Sequence, residues 1–276
     1  MIVLYLILFF IFGAAIGSFL GVVVDRLNSK EPIWKGRSHC DHCRHNLHAL
    51  DLIPILSYFF LNKKCRYCHK KLSWFYPLIE FCTGIAFMAA GYAVLQQFEY
   101  LVGQLPYLEL FYYFALISAL IAIFFTDLRY GIIPFKIVVF ALVVTIVWYV
   151  LLAVLPVISY QQTNGLAPGI ANIALSAIGA GCFFFLLFAV TKGRGMGFGD
   201  VVYAFLMGFT LGFPRVILGL YIAFVSGAII SLILVSLRKK KMKGGTIPFG
   251  PFLVFGTIVS LLWGEALIQY VLRLLS

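Results

Sequence analysis

The stretch Gly193–Asp200, with the sequence GRGMGFGD, is a glycine-rich break between two long apolar runs, and it ends in an acidic residue. Glycine suits a loop that must come close to another backbone, because it carries no side chain. A second acidic residue, Asp127, follows an earlier apolar run that ends in Phe124-Phe125-Thr126. We therefore expect the chain to be organised around two aspartates that stand at the ends of apolar segments.

The composition is that of a membrane protein. Of the 276 residues, 63% are hydrophobic and 11% are charged, and the net charge is +11. Soluble domains carry about 25% charged residues. A basic balance can indicate nucleic-acid binding, but in a polytopic protein Lys and Arg gather in the cytoplasmic loops. We expect a lipid bilayer as the surroundings and no nucleic-acid partner.

Apolar runs predict an all-α polytopic fold with about eight transmembrane helices, since backbone groups in lipid must find partners within their own segment. One run is short: Val201–Phe213 covers about 20 Å at about 1.5 Å per residue, against about 30 Å of hydrocarbon. It could be re-entrant or could fuse with the next run across Pro214. The charge pattern favours a short span, extended by neighbouring residues or matched by a thinner bilayer. The runs are Ile2–Val24, Tyr76–Leu95, Leu105–Phe125, Ile137–Ile158, Ile170–Val190, Val201–Phe213, Val216–Leu237 and Ile247–Leu275.

The distribution of basic residues predicts the orientation. Nineteen of the 21 Lys and Arg residues fall in alternate connections, whereas the connections near residues 96–109 and 158–169 carry none. The basic connections should be cytoplasmic, so both termini lie outside and both aspartates lie at the cytoplasmic side. The run Ile2–Val24 has no basic segment before it and Arg26 after it, which favours a retained helix over a cleaved signal peptide.

Three parts follow from this pattern: residues 1–25 as the first transmembrane helix, 26–75 as a small cytoplasmic loop domain, and 76–276 as a seven-helix membrane domain. Within the loop domain, Leu50–Phe60 is amphipathic and could lie on the bilayer surface.

Four cysteines in the loop domain form two Cys-x-x-Cys pairs, with the spacing of a four-thiolate zinc site. A reducing compartment favours metal over disulfide. Free thiols, a redox pair and an iron site remain alternatives. Four thiolates leave no open position, so the metal would be structural. The cysteines are Cys40, Cys43, Cys65 and Cys68, and the histidines that could replace one of them are His39, His42, His45 and His48.

The two aspartates favour hydrolysis when they are considered together. Each alone could cap a helix or pair with an arginine, but ionisable groups at membrane depth usually mark a function. Two close carboxylates share a proton. One can act as a general base on a water while the other, protonated, polarises a scissile carbonyl.

Many segments together resemble the type IV prepilin peptidases, bifunctional leader peptidases and N-methyltransferases of the GxGD aspartyl class. The chain departs from the family pattern at Gly21, where Asn is frequent, and at Asp41-His42, where Pro is frequent between the first cysteines. The matching segments are Gly17–Leu20 with Arg26-Leu27, Arg37–Cys43, Asp51–Ser57, Cys65–Cys68, Tyr76–Glu80, Asp127 with Ile133-Pro134, Gly197–Asp200, and Ile247–Pro251.

The resemblance implies an enzyme of the bacterial cytoplasmic membrane that acts on prepilins or pseudopilins. It would cleave after a glycine at the membrane face, with Asp127 and Asp200 as catalytic residues and Gly197 and Gly199 in the substrate loop. It would then methylate the new N-terminal residue from S-adenosylmethionine.

No glycine-rich nucleotide fingerprint is present to mark the methyl-donor site. Asp51 and Glu80 are weak candidates for it, and they could equally orient the loop against the helices.

Two other functions stay open at this point. A GxGD peptidase could act on other single-span proteins, and a zinc-bearing membrane scaffold or transporter could line an ion path with its aspartates. The charged residues stand at the ends of spans rather than near their middle, which counts against transport. The oligomeric state is not predicted.

Overall fold

The computed structural model describes residues 2–29, 37–40, 42–98, 106–154, 169–237 and 247–275. Within these ranges the secondary structure is helical, with two isolated β-bridges and no strand. A single 3₁₀ turn covers Ala49–Leu52. The α-helices are α1 Ile2–Ser29, α2 Leu56–Phe60, α3 Phe75–Phe98, α4 Pro106–Tyr130, α5 Phe135–Val154, α6 Ile170–Val190, α7 Phe198–Leu211, α8 Arg215–Ser236 and α9 Gly250–Leu275.

Seven of these helices (α1, α3, α4, α5, α6, α8 and α9) are long and apolar enough to cross a membrane. The all-α polytopic prediction is confirmed, and the chain is an integral membrane protein. The eighth apolar helix, α7, has 14 residues and therefore a length of about 21 Å. It is the short run of the sequence, extended backwards to Phe198. Gly212, in the left-handed region at φ +65°, separates it from α8, so the two runs do not fuse.

Several helix boundaries differ from the apolar runs by a few residues, and two of them concern the surroundings of Asp127. α4 continues past Phe125 to Tyr130, which places Asp127 inside the last turns of the helix rather than after it. Likewise α9 begins at Gly250, three residues into its run. Apolarity does not mark the end of α4, because a helix continues through polar residues once it leaves the hydrocarbon. Asp41, residues 155–158 and 238–243, and most of the two charge-free connections lie outside the described residues.

The chain forms two compact units, and the division falls within α4 after Ala122. The first comprises residues 1–102 and 106–122, and the second residues 103–105 and 123–276. In the first unit, α1 packs closely on α3. A side chain at Gly17 would place its Cβ 2.7 Å from Glu80 Cα, and one at Gly13 would lie 2.8 Å from Thr83 O. Small residues in α1 therefore allow the two helices to pack closely.

In the second unit, α7 is the central helix and contacts α5, α6, α8 and α9. Its residues Tyr203, Leu206 and Met207 are almost completely buried. Gly208 touches the backbone of α6 at Ser176, so that any side chain there would overlap it. The glycine allows α7 to pack tightly despite its short length. Asp200 therefore stands at the start of the most enclosed helix of this unit.

Candidate active site and metal centre

Asp200 lies in the first turn of α7 and is 8% exposed. Its Oδ2 accepts a hydrogen bond of 3.2 Å from the N–H of Gly197, the residue at the N-cap. A carboxylate near a helix N-terminus is stabilised by the free N–H groups and the helix dipole. Asp200 thus caps its own helix, and the three-residue separation from Gly197 fixes its orientation locally.

Asp127 lies near the end of α4 and is 6% exposed. Its Oδ2 accepts a buried hydrogen bond of 3.0 Å from the N–H of Gly250, the first residue of α9. The partner is 123 residues away in the sequence. In the sequence, Gly250 stands out only as part of the matching segment Ile247–Pro251. Its contact with Asp127 was not predicted, since no local pattern links Gly250 to Asp127.

The two aspartates belong to the same unit, and their carboxyl groups are near enough for their charges to interact. The segments next to the two aspartates also pack together. A Cβ at Gly199 would lie 3.0 Å from Cβ of Ile133, a residue in the segment between α4 and α5. Gly199 therefore allows the residue before Asp200 to pack against the segment that follows Asp127. Two buried acids that interact at the ends of helices form an arrangement capable of general acid–base chemistry.

One helical turn after Asp200, the buried Tyr203 connects α7 to α9. Its hydroxyl donates a hydrogen bond of 2.9 Å to Oγ1 of Thr257, which itself donates to Leu253 O at 2.7 Å. Both side chains are almost completely buried. This link joins the helix that carries Asp200 to the helix whose first N–H holds Asp127.

The four predicted cysteines form one cluster in the first unit. The sulfur atoms of Cys40, Cys43, Cys65 and Cys68 all lie within 4.8 Å of one another, and Cys40 Sγ and Cys68 Sγ are 3.9 Å apart. Metal–thiolate bonds of about 2.3 Å in a tetrahedron place the sulfurs about 3.8 Å apart. Four cysteines and no histidine make up this group among the described residues. The cluster could therefore hold a metal ion.

Two matching hairpins carry the cysteines. In the first, Cys40 N–H bonds to His45 O at 3.0 Å and Arg44 N–H bonds to Cys40 O at 2.9 Å. The second repeats both bonds, from Cys65 N–H to Lys70 O at 2.9 Å and from His69 N–H to Cys65 O at 3.0 Å. A residue in the left-handed region closes each turn, at Arg44 and at His69. The two pairs of cysteines are thus presented by the same backbone geometry.

The cluster favours thiolate formation at Cys65. Burial alone would raise the pKa of this thiol, but hydrogen bonds from the N–H groups of Cys68 and Tyr67 and from neighbouring thiols lower the pKa to about 7. The hydrogen bond from Lys70 N–H lowers the pKa of Cys68. Burial and the hydrogen bonds with the other thiols raise it by more, so that the pKa of Cys68 is about 11. Of these two thiols, Cys65 therefore gives up its proton before Cys68, and metal binding requires the thiolate form.

Asp51 is held within the cysteine loop. Its Oδ2 accepts hydrogen bonds of 3.1 Å from Tyr67 Oη and from His48 N–H. Oδ1 lies 2.8 Å from Arg66 Nε, although the N–H does not point at it, so this contact is an ion pair rather than a hydrogen bond. The carboxylate is buried to 3% exposure. These contacts orient the second hairpin against the segment before α2.

Glu80, on α3, connects the cysteine loop to the helices of the first unit by hydrogen bonds. Its Oε2 accepts a hydrogen bond of 2.6 Å from Ile55 N–H, and its carboxylate also accepts one from the Ser18 hydroxyl of α1. Ile55 has φ +61°, a left-handed conformation that is unusual for a β-branched residue. The hydrogen bond to Glu80 holds this strained residue in place.

Comparison with known proteins matches both parts of this description. Residues 11–94, which include the cysteine cluster, match the bacterial peptidase A24 N-terminal domain. Residues 114–232, which include both aspartates, match the type IV leader peptidase family. No solved structure matches the chain.

Curated relatives match over nearly their whole length. A Bacillus subtilis protein named prepilin leader peptidase/N-methyltransferase is 31% identical over 96% of this chain and 97% of its own. A protein of the same name from Aeromonas hydrophila is 28% identical over 98% of this chain and 94% of its own. With these matches spanning both the cysteine loop and the helices that carry Asp127 and Asp200, the chain belongs to the type IV leader peptidase family.

Proposed function

We propose that this protein is a prepilin leader peptidase that cleaves prepilins or pseudopilins after a glycine at the cytoplasmic membrane face. The observation that carries the proposal is the buried, interacting pair Asp127 and Asp200 at the ends of α4 and α7. The names of the relatives and the family match support the same activity.

Hydrolysis proceeds through the two carboxyl groups. Charge repulsion between the two interacting carboxyl groups disfavours the state in which both are ionised, so one stays protonated while the other is ionised. The ionised one takes a proton from the attacking water, and the protonated one polarises the scissile carbonyl and later donates to the leaving amine. The helix N-termini at Gly197 and Gly250 stabilise the negative charge. Gly197 ends the glycine-rich loop and Gly199 lies in the first turn of α7, where the substrate backbone would approach.

The new N-terminal residue is then methylated from S-adenosylmethionine, as the names of the relatives suggest. We propose that neither Asp51 nor Glu80 binds the methyl donor. The carboxylates of both residues are already engaged within the first unit, which supports an orienting role.

The cysteine cluster holds a structural zinc ion. Sulfur separations close to those of a tetrahedral thiolate site and the preformed hairpins support this assignment. The metal would fold a loop too small to have its own hydrophobic core. The protein then comprises the predicted parts 1–25 as the first helix, which continues to Ser29, 26–75 as the zinc loop and 76–276 as the peptidase helices. It lies in the bacterial cytoplasmic membrane with both termini outside.

The test is mass spectrometry of a prepilin incubated with the purified enzyme, with and without S-adenosylmethionine. We expect loss of the leader in both reactions and an added methyl group only with the donor. Asp127→Asn and Asp200→Asn should each reduce cleavage to background while the purified protein stays folded. Full cleavage by either variant would refute the two-aspartate mechanism, and no cleavage by the unchanged enzyme would refute the substrate.

A further inference from the structure

We propose that Gly250 is a positioning residue of the peptidase site, holding Asp127 through its backbone N–H and through its lack of a side chain. The inference rests on the proposed peptidase function. The peptidase site would then include the start of α9 in addition to the two segments that carry Asp127 and Asp200. Gly250 acts through Asp127 and does not itself touch the reacting bond.

The N–H of Gly250 engages one oxygen of the Asp127 carboxylate, Oδ2, at 3.0 Å in a buried setting. As the first residue of α9, Gly250 has no partner for this N–H within its own helix. Hydrogen bonds to a charged acceptor are stronger than neutral ones. The bond therefore fixes the rotation of the carboxylate and leaves its other oxygen to act on a water.

The missing side chain matters as much as the N–H. A Cβ at position 250 would lie 2.5 Å from Asp127 Oδ2 and 2.9 Å from its Cγ. Real Cβ atoms essentially never approach another heavy atom as closely as that first distance. Any L side chain must therefore displace either the carboxylate or the start of α9. Only glycine lets the N–H approach Asp127 at hydrogen-bonding distance.

α9 also connects Asp127 to the helix of Asp200. Thr257 lies seven residues after Gly250, about two helical turns along α9. It accepts the hydrogen bond of Tyr203, which lies one turn after Asp200. A displacement of α9 would therefore disturb both aspartates. The Tyr203–Thr257 hydrogen bond fixes the position of α9 along α7, and so it keeps Gly250 next to Asp127.

The kinetic test compares Gly250→Ala with a matched control. Gly179→Ala makes the same change in α6, at a position with nothing within 4 Å of the added Cβ. Loss of a hydrogen bond to a charged group should lower kcat for prepilin cleavage about 10- to 100-fold in Gly250→Ala. KM should stay within about twofold, because the defect lies in the chemical step rather than in substrate binding. The control should retain the wild-type kcat.

A thermal-unfolding cycle tests the contact without relying on activity. Gly250→Ala, Asp127→Ala and the double variant are melted in detergent. Removing the carboxylate takes away the two atoms nearest to the new methyl group, at 2.5 and 2.9 Å, and leaves Asp127 Cβ at 3.2 Å. The loss of Tm caused by Gly250→Ala should therefore largely disappear in the Asp127→Ala background, which is the coupling expected of residues in contact.

The results distinguish failure of the positioning role of Gly250 from failure of the peptidase function. A wild-type kcat in Gly250→Ala, or strictly additive losses of Tm, would overturn the positioning role while the peptidase function stands. Coupled Tm losses in a protein whose unchanged form cleaves no prepilin would refute the peptidase, and with it the positioning role, but would leave the contact intact. A low kcat, an unchanged KM and coupled Tm losses together support the proposal.

Discussion

At the scale of single residues, the two aspartates are held by different kinds of partner. Asp200 bonds to Gly197, three residues earlier in the same turn, whereas Asp127 bonds to Gly250, 123 residues away. The first arrangement forms as soon as α7 forms. The second requires α4 and the start of α9 to pack together. Asp127 is therefore the more sensitive of the two to changes elsewhere in the second unit.

Tyr203→Phe should destabilise the second unit by about 0.5–1.5 kcal/mol, because it removes one buried hydrogen bond. Thr257 would still donate to Leu253 O, so it keeps one partner. Thermal unfolding in detergent measures the effect, and Tyr221→Phe, at an exposed position of α8, is the control. Equal Tm values for the two variants would show that the Tyr203 hydroxyl contributes nothing.

At the scale of elements, the cysteine loop is built by hydrogen bonds and a cluster of thiols rather than by a hydrophobic core. Many of its large apolar side chains are exposed, among them Leu56, Phe59 and Trp74. Its hairpins are held by the bonds within each turn, and Glu80 attaches the loop to α3 at Ile55. The proposed metal ion and the contact with α3 would therefore stabilise a loop that lacks a hydrophobic core of its own.

Zinc content should depend on the cluster and on pH. The purified protein should carry one zinc per chain, Cys40→Ser should lose most of it, and Cys82→Ser, a cysteine of α3 outside the cluster, should keep it. Protons compete with zinc for thiolates. Because the pKa of Cys65 is about 7 in the free cluster, affinity should fall as pH drops below 7 and should not fall in mild alkali. Elemental analysis after dialysis measures this, and retention of zinc by Cys40→Ser would contradict the assignment.

The amphipathic segment Leu50–Phe60 should lie at the lipid surface. Phe60 is 81% exposed, whereas Tyr58 on the other side of α2 is buried. Lys63 Nζ lies 4.7 Å from the centre of the neighbouring Trp74 ring, and aromatic and basic side chains are typical of membrane interfaces. A photo-reactive phenylalanine at position 60 should form lipid adducts in nanodiscs, detected by mass spectrometry. The same probe at the exposed Lys70 should not, and equal labelling at both sites would refute the docking.

At the scale of the whole molecule, two compact units share α4, with the cysteine cluster in one and both aspartates in the other. The two family matches, residues 11–94 and 114–232, follow nearly the same division. The pair of aspartates and the cysteine cluster therefore lie in different compact units. This arrangement is consistent with a protein whose relatives are named for two activities.

The orientation can be tested on the intact chain. Nineteen of 21 basic residues fall in connections predicted to be cytoplasmic. Alkaline phosphatase fused after the last residue should be active, since it would lie outside, and a fusion within the cysteine loop should be inactive. Green fluorescent protein at the same sites should give the opposite result. Activity of the phosphatase in the loop would reverse the proposed orientation and remove the aspartates from the cytoplasmic face.

Much of this architecture follows from local patterns. Apolar runs determine the membrane helices because every backbone group in lipid must be paired within its own segment. The Cys-x-x-Cys spacing is enough to predict the cysteine cluster, whereas the predicted run that corresponds to α7 begins at Val201, three residues after the helix itself begins at Phe198. The end of α4 at Tyr130 was not predictable in this way, because the residues around Asp127 are polar and still helical.

The amino-acid sequence by itself determined the helices, the two hairpins and the cap of Asp200, since each depends on residues a few positions apart. Only the tertiary structure decided that Gly250 holds Asp127, that Ile133 packs on Gly199 and that Glu80 fastens Ile55. These contacts join distant segments and rest on close packing. They form only when particular helices pack against each other, and this packing depends on how the helix surfaces fit together rather than on local sequence patterns.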